Sequence, residues 1–314
     1  MVGTRCVVRV CVPCDVGQAF GVDPAPPRQG HSRLGDFSPD LGCPGQMPIT
    51  GSTRDRATGV DIRVDRAGRG RPLVILNGLL GLNEHWFPCL GPLIPRAECL
   101  LLQPPLLEMR GKGLSVEGVS NLIESVLETL VEEPVILVGN SLGGHVALRL
   151  AHRRPDMVAG LVLIGSSGLF EKSFEQGVQH DPSREWIHKK ITDLFYDPAR
   201  MLPGLVDMAY NELSRRSAAR ALVRLGRSAK RDHLGEILGE IRQPTLLLWG
   251  MNDLVTPADV ATTFKESLPN ATLRWIERCG HAPQIECPTE VAAGIAWFLD
   301  HMASVERRGA AGVA

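Results

Sequence analysis

The segment from Glu133 to Pro155 constrains the fold of this chain more than any other. It begins with Pro134 to Val138, a short apolar run rich in β-branched residues, which is typical of a strand buried on both faces of a parallel sheet. A Gly-x-Ser-x-Gly turn follows at Gly139 to Gly143, and an amphipathic helical pattern comes next. We therefore predict a buried strand that passes through a tight turn into a helix.

The turn gives Ser141 a special position. Glycines on both sides let the strand and the helix crowd together, while the serine itself must adopt a strained backbone. Its hydroxyl would then project into the open at the positive end of the helix. An ordinary strand-to-helix turn is the alternative, because two glycines and a serine often occur in this pattern by chance. The strand before the turn and the helix after it favour an exposed nucleophile.

Strand and helix patterns alternate along residues 60–302. Besides the serine strand, apolar runs predict strands at 60–64, 71–77, 97–103, 161–164, 245–249 and 273–277. Helices are predicted after Ser115, after the serine, from Thr256 with Pro257 at the first helical position, and over 289–302. Such alternation is typical of an α/β fold with a mostly parallel, doubly wound sheet.

The alternation stops between Gly165 and Gln243, where only helical patterns are found, at 187–195, 205–209, 222–229 and 234–241. Because this insertion follows the carboxyl end of a strand, where ligands of open α/β sheets bind, we expect residues 169–240 to form an all-helical lid. Seven basic residues cluster in its part 215–231, namely Arg215, Arg216, Arg220, Arg224, Arg227, Lys230 and Arg231. We interpret them as a solvated face, with attraction of an acidic substrate as the alternative.

A serine nucleophile needs a base, and the base needs an acid to hold its tautomer. Asp253 comes just beyond the strand that ends at Trp249, and His281 comes directly after the last strand. Parallel strands place both at the sheet edge that carries Ser141, so we predict a Ser141, Asp253 and His281 triad in that order. Other histidines compete, and His145 is the nearest in sequence. It lies one turn down the helix from the serine, where we expect a packing or surface role.

Length and composition limit the classes of partner that the chain can have. The chain has 314 residues, 44% of them hydrophobic, which is enough for one large core and one catalytic domain. A formal net charge of −1 implies neither nucleic acid nor an anionic membrane as partner, so a small-molecule substrate is the default. No apolar run approaches the ~18 residues of a membrane span, and Arg9 and Pro13 interrupt the first apolar segment. We expect a cytoplasmic protein, and the sequence does not predict its oligomeric state.

The chain is expected to begin with a disordered extension over residues 1–50, because residues 13–48 are rich in proline and glycine and show no period. The core is predicted at 51–168 and 241–306, with a flexible tail at 307–314. A chain that starts at Met47 should fold and stay active. Cys11-x-x-Cys14 lacks a second motif for a metal or redox site, and Cys89, Cys99, Cys279 and Cys287 are predicted to be buried thiols.

Three motifs together resemble the α/β-hydrolase superfamily over about residues 60–302. They are Gly139 to Gly144, Trp249 to Asp253 and Gly280 to Pro283. The resemblance implies a lid inserted after the sixth strand and an oxyanion hole formed by the N–H groups of Leu79 and Leu142. Asn77 stands where the family usually has histidine before the strand-end glycine. Acyl-enzyme chemistry of this kind requires no metal or cofactor.

The subfamily depends on further features. Gly139 to Ser141 and Gly165 to Phe170 are similar to carbon–carbon bond hydrolases of the meta-cleavage-product type, but those usually have tryptophan where this chain has Ala282. The ending Gly280 to Pro283 is similar to that of esterases. We predict a serine hydrolase acting on carboxylic esters. The alternatives are a carbon–carbon bond hydrolase and, from another class, a non-catalytic small-molecule receptor on the same fold.

Overall fold

The computed structural model describes residues 47–170 and 182–311. Its eight strands are β1 (Ile49–Arg54), β2 (Asp61–Gly68), β3 (Pro72–Leu76), β4 (Glu98–Gln103), β5 (Val135–Asn140), β6 (Val158–Ile164), β7 (Thr245–Gly250) and β8 (Ala271–Ile276). The α-helices are α1 (Val116–Leu130), α2 (Leu142–Arg153), α3 (Arg184–Thr192), α4 (Leu205–Leu213), α5 (Arg216–Arg231), α6 (Ala258–Ser267), α7 (Pro283–Glu286) and α8 (Pro288–Ala311). Short 3-10 helices cover Asn83–Cys89, Gly111–Gly113, Pro198–Arg200 and Leu238–Glu240.

All eight strands form one sheet in the order β1-β2-β4-β3-β5-β6-β7-β8. The pairs β1–β2 and β2–β4 are antiparallel, and every other pair is parallel. The predicted α/β class with a mostly parallel sheet is therefore confirmed. The completely buried strands β3, β5 and β7 read as continuous apolar runs because both of their faces are covered.

Alternate residues of each central strand enter two separate hydrophobic cores. On β3, Val74 and Leu76 belong to the core shared with α1, α2 and α6, whereas Leu73 and Ile75 belong to the core shared with α8. Side chains of a strand point to opposite faces in turn, so helices must cover both sides of the sheet. This arrangement is the predicted double winding.

The strand order reverses beside β3. The chain goes from β3 to β4 on one side and then returns to place β5 on the other. At such a switch point the loops after two neighbouring parallel strands separate and leave a crevice at their carboxyl ends. The loop after β3 holds Leu79, and the turn after β5 holds Ser141.

Helices α3, α4 and α5 occupy the chain between β6 and β7. Their inward side chains, including Ile191, Leu213 and Leu225, are buried in the first of the two cores. The sequence pattern at 234–241 predicts a further helix, but this prediction is wrong. That segment is made of turns with the 3-10 helix Leu238–Glu240, and Gly235 and Gly239 lie in it.

The bounds of the core differ from the predicted ones at both ends. Strand β1 starts at Ile49, so the boundary expected at residue 50 falls inside a strand. Helix α8 continues to Ala311 and therefore includes the first residues of the tail predicted at 307–314. Residues 1–46 of the extension predicted at 1–50 and residues 171–181 of the predicted lid lie outside the described residues. Within the described ranges, no helix is long and apolar enough to cross a membrane.

Candidate active site

Ser141 lies in a strained turn between β5 and α2. Its φ of 52° and ψ of −116° are unusual for a residue with a side chain, as the sequence predicts. A Cβ at Gly139 would overlap the backbone of Gly143 and Gly144, and a Cβ at Gly143 would overlap the carbonyl of Leu76. The glycines are therefore needed for the close approach of helix and strand that holds the serine in this conformation.

Asp253 and His281 meet at the same edge of the sheet. Asp253 follows β7 and His281 follows β8, and both side chains are buried. His281 Nδ1 lies 2.8 Å from Asp253 Oδ2. Because an ionised carboxylate only accepts hydrogen bonds, the proton of a neutral imidazole must be on Nδ1, which leaves Nε2 as the acceptor. The pair thus has the tautomer that a general base requires.

Three further hydrogen bonds hold the Asp253 carboxylate. The backbone N–H groups of Val255 and Thr256 donate to Oδ1 at 2.8 and 2.9 Å, and the Thr256 hydroxyl donates to Oδ2 at 2.9 Å. The sequence suggests only a helix start at Thr256, and α6 begins two residues later. Its hydroxyl instead orients the partner of His281. A second residue not identified from the sequence is Gly165, where a Cβ would lie 3.0 Å from Asp253 Oδ2 and 3.2 Å from His281 Nδ1.

Asn140 connects the serine turn to the histidine loop. Its side-chain amide donates to the carbonyls of Ile164 at 3.0 Å and His281 at 3.2 Å. Gln284 donates to Asn140 Oδ1 at 3.2 Å. The residue before the serine thereby fixes the backbone of His281 relative to β5.

Glu286 fastens the histidine loop to the chain after α3. Its buried carboxylate accepts hydrogen bonds from the N–H groups of Gly280 at 2.7 Å, Tyr196 at 3.2 Å and Asp197 at 2.7 Å. The His281 N–H donates to the carbonyl of Leu194 at 2.8 Å. The inserted helices and the imidazole are therefore held in one hydrogen-bonded unit.

The loop after β3 carries Leu79 and is braced by Asn77. Trp86 Nε1–H donates to Asn77 Oδ1 at 2.9 Å, and Asn77 Nδ2 donates to Asn83 Oδ1 at 2.7 Å. Asn83 in turn donates to the buried carboxylate of Asp65 at 2.8 Å. Asn77 thus accepts and donates through its own side-chain amide, which links the loop to the 3-10 helix Asn83–Cys89.

The two expected oxyanion donors lie in different surroundings. Leu79 lines a pocket that also contains Ser141 and His281, whereas Leu142 is buried as the first residue of α2. The first N–H groups of a helix have no acceptor within it, so that of Leu142 is available for another partner.

The pocket has a volume of about 120 Å³ and is mostly apolar. The inserted helices and the loop after α3 contribute part of its lining through Phe195, Met208 and Leu222. Pockets for drug-sized ligands begin at roughly 300 Å³, so this cavity suits a small group. Asp253 does not line it and lies behind His281.

His85 is a further pocket residue that the sequence did not identify. It sits in the 3-10 helix Asn83–Cys89, where its Nδ1 accepts a hydrogen bond from the Leu82 N–H at 3.2 Å. Burial lowers the pKa of His85 to about 4, although the neighbouring Glu84 acts in the opposite direction. The imidazole is therefore neutral at pH 7.

The remaining candidates lie away from the pocket. His145 is buried one helical turn beyond Ser141, with Nδ1 3.4 Å from the Ser167 hydroxyl. Cys89, Cys99, Cys279 and Cys287 are free and buried, as predicted, and burial raises the pKa of Cys99 to about 12. Within the described residues no group of three or more potential ligands could hold a metal ion.

Comparison with known proteins identifies the family of the chain. The model of the alpha/beta hydrolase family matches residues 37–294, which is most of the chain. The chain belongs to the alpha/beta hydrolase family. This family member is 32% identical over 245 residues to a pimeloyl-[acyl-carrier protein] methyl ester esterase of Aromatoleum aromaticum, in a match covering 70% of the chain and 94% of the relative.

A second relative is named for a different activity. A 2-hydroxy-6-oxononadienedioate/2-hydroxy-6-oxononatrienedioate hydrolase of Paraburkholderia phymatum is 34% identical over 180 residues, or 53% of this hydrolase-family chain. The match spans only 62% of that relative's length. Among solved structures, a meta-cleavage product hydrolase from Pseudomonas fluorescens superposes with a TM-score of 0.69 at 20% identity, covering 81% of the chain and 98% of the neighbour. At that identity the likeness shows the fold alone.

Proposed function

We propose that this protein is a serine hydrolase that cleaves small carboxylic esters. The observation that carries the proposal is the 2.8 Å contact between His281 Nδ1 and Asp253 Oδ2 at the wall of the pocket that Ser141 lines. A positive φ at Ser141 supports the same reading, because strained backbone is stored where a side chain must be presented for chemistry.

In the first half-reaction, His281 Nε2 removes the proton of the Ser141 hydroxyl while Oγ attacks the ester carbonyl carbon. Asp253 stays ionised and stabilises the imidazolium that forms. The tetrahedral intermediate collapses as the alcohol leaves with the proton from His281. In the second half-reaction, His281 takes a proton from water while the water oxygen attacks the acyl-Ser141 ester. As the ester bond breaks, His281 returns the proton to Ser141 Oγ, which releases the carboxylic acid and the free serine.

The developing negative charge on the carbonyl oxygen is assigned to the N–H groups of Leu79 and Leu142. Fixed donors of this kind typically contribute about 3 to 4 kcal/mol to the transition state. The Asn77 network supports Leu79, because it holds the loop after β3 against the 3-10 helix and β2.

The pocket lining favours an uncharged ester over the alternative carbon–carbon bond cleavage. The substrate named for the Paraburkholderia relative is a dioate, which carries two carboxylates. Among the described residues that line the pocket there is no lysine or arginine. A carboxylate among apolar side chains without a partner is strongly unfavourable. The esterase from Aromatoleum, which is matched over 94% of its length, supports the same choice.

Helices α3, α4 and α5 are proposed to act as the lid that sets the size of the acyl group. Phe195, Met208 and Leu222 line the pocket together with Ser141, and Glu286 joins the chain after α3 to the histidine loop. A cavity of about 120 Å³ predicts a preference for short acyl chains.

The test is covalent labelling of the full chain with a fluorophosphonate, followed by assays with aryl esters of increasing acyl length and with a meta-cleavage-type dienoate. We expect labelling of Ser141, loss of labelling in Ser141→Ala, and retention in the exposed control Ser217→Ala. Turnover should be fastest with short esters. Faster cleavage of the dienoate than of the esters would favour carbon–carbon bond cleavage over ester hydrolysis. Absence of both labelling and turnover would favour the receptor alternative.

A further inference from the structure

A second cavity lies on the other side of α5 from the Ser141 pocket. This groove has a volume of about 730 Å³ and lies between the start of α1, with Ser115 and Glu117, and one face of α5. Leu222 and Gly226 of α5 line the Ser141 pocket, whereas four arginines of the same helix line the groove. The two cavities share no lining residue.

Four arginines form the α5 wall of the groove, namely Arg220, Arg224, Arg227 and Arg231. They are spaced four, three and four residues apart, which puts all of them on one face of the helix. From the first to the last the stripe extends about 17 Å along the helix axis. All four side chains are exposed.

No ion pair neutralises the positive charge of these guanidinium groups within the described residues. Within the part of the chain that the structure describes, none of the four has an ion pair or a hydrogen bond, whereas Arg154 pairs with Glu124, Glu128 and Asp156. Asp232 lies at the end of the groove, but its carboxylate is already bonded by Arg149. Glu117 is the other carboxylate in the lining.

The charge pattern differs from that of an ordinary solvated face. Helix α5 contains basic residues and no aspartate or glutamate. Like charges four residues apart destabilise a helix by a few tenths of a kcal/mol per pair, and a typical solvated helix places acidic residues between them. The stripe therefore lowers the stability of the free protein, and an anion in the groove would remove that cost.

We propose that the groove binds a small organic polyphosphate of about the size of a nucleoside triphosphate. The planar guanidinium fork matches two phosphate oxygens at once, and several forks along about 17 Å match several phosphates in a row. The volume of about 730 Å³ falls within the range of small-molecule sites, roughly 300 to 1,000 Å³. The positive end of α1, which Ser115 caps, lies on the opposite wall and favours a negatively charged ligand.

The shape of the site favours a small ligand over an anionic membrane. The arginines line a concave groove, and none of the exposed large apolar side chains of the described chain lies on α1 or α5. A membrane-binding helix needs such side chains to enter the acyl region.

The experiment is calorimetric titration of the full chain with ATP, tripolyphosphate and adenosine at about 0.1 M salt, where the Debye length is about 10 Å. We expect saturable binding of ATP and tripolyphosphate and none of adenosine. In the double variant Arg224→Gln/Arg227→Gln the dissociation constant should rise at least about tenfold, because two charge-assisted contacts are lost. Replacing the same pair by lysine, which keeps the charge but not the fork, should restore only part of the affinity.

The matched control is Arg56→Gln/Arg242→Gln, which removes two exposed arginines outside the groove and changes the net charge equally. An equal loss of affinity in this control would mean general attraction of anions and would overturn the site. The proposal also fails if the wild-type protein shows no saturable binding, or if only duplex DNA or anionic vesicles bind through these arginines. Circular dichroism of each variant reports folding, and fluorophosphonate labelling reports the hydrolase site, so either proposal can fail alone.

Discussion

The hydroxyl of Thr256 donates a 2.9 Å hydrogen bond to the Asp253 carboxylate oxygen that also faces His281. With two backbone N–H groups on the other oxygen, it fixes the carboxylate plane before any substrate binds. The orientation of the candidate base is thus set by a residue that touches neither Ser141 nor the pocket.

Replacement of Thr256 by valine should lower kcat by about tenfold with little change in KM. Valine keeps the shape but removes one hydrogen bond to a charged group, whose contribution is about 1.5 to 3 kcal/mol and is partly retained by the backbone donors. Steady-state kinetics on a short aryl ester would measure this. Thr262→Val, on the exposed side of α6, is the control and should leave kcat unchanged. A change confined to KM would assign Thr256 to substrate binding instead.

Substitutions of Ser141, Asp253 and His281 should reduce turnover non-additively. We expect Ser141→Ala and His281→Ala each to reduce turnover by about 10⁴ to 10⁶, with the double variant little worse than either. Asp253→Asn should also be severe, because the amide permits the wrong imidazole tautomer. Single-turnover measurements on the three variants and the double variant would test this. Additive losses in the double variant would contradict a shared step.

Shortening Phe195 should broaden the acyl range. This side chain is 5% exposed and lines the pocket together with Ser141. Phe195→Ala removes the ring, so kcat/KM for longer acyl esters should rise relative to short ones by about tenfold, the usual effect of one or two methylenes. Tyr196→Ala is a matched control, since its neighbouring ring is 47% exposed and lies outside the pocket lining. Identical acyl profiles for both variants would show that the Phe195 ring packs against its neighbours without limiting the length of the acyl group.

His85 should make folding stability depend on pH in mild acid. The unfolded chain binds a proton on this residue below about pH 6.5, whereas the folded pKa is about 4. The free energy of unfolding should therefore fall as the pH is lowered from 6.5 to 4 and level off below it. Between pH 7 and 4.5 this residue alone accounts for about 2 kcal/mol.

Urea unfolding of His85→Leu at both pH values would measure that contribution. The variant should lose about 2 kcal/mol less than the wild type over this interval. His188→Leu, at an exposed position of α3, should follow the wild type. Parallel curves for wild type and His85→Leu would show that His85 titrates normally in the folded protein.

Local signals in the sequence were sufficient for much of the fold. The turn around Ser141 needs glycines because any Cβ there would meet the backbone, and that requirement is visible in the sequence itself. Buried parallel strands are apolar on both faces, so short continuous apolar runs in the sequence predict β3, β5 and β7. The order of strands then placed Asp253 and His281 at one edge of the sheet.

Other elements gave no such signal. Strand β1 is exposed along nearly all of its length, because it is an edge strand paired only with β2, and its sequence has no apolar alternation. At 234–241 the apolar period of a helix is present, but the chain between two buried anchors, Leu234 and Leu238, forms turns instead.

Short-range sterics and periodicity are enough to predict the strand, turn and helix at Ser141 and the order of the three candidate catalytic residues. The hydrogen bond from Thr256 to Asp253 is visible only in the folded chain. The same holds for the link that Glu286 forms between Gly280 and Tyr196. It also holds for the groove that four arginines of α5 line. Each of these depends on where side chains from distant segments meet. Hydrogen bonds act over about 3 Å, so they are set by strand register and helix docking, which no local pattern encodes.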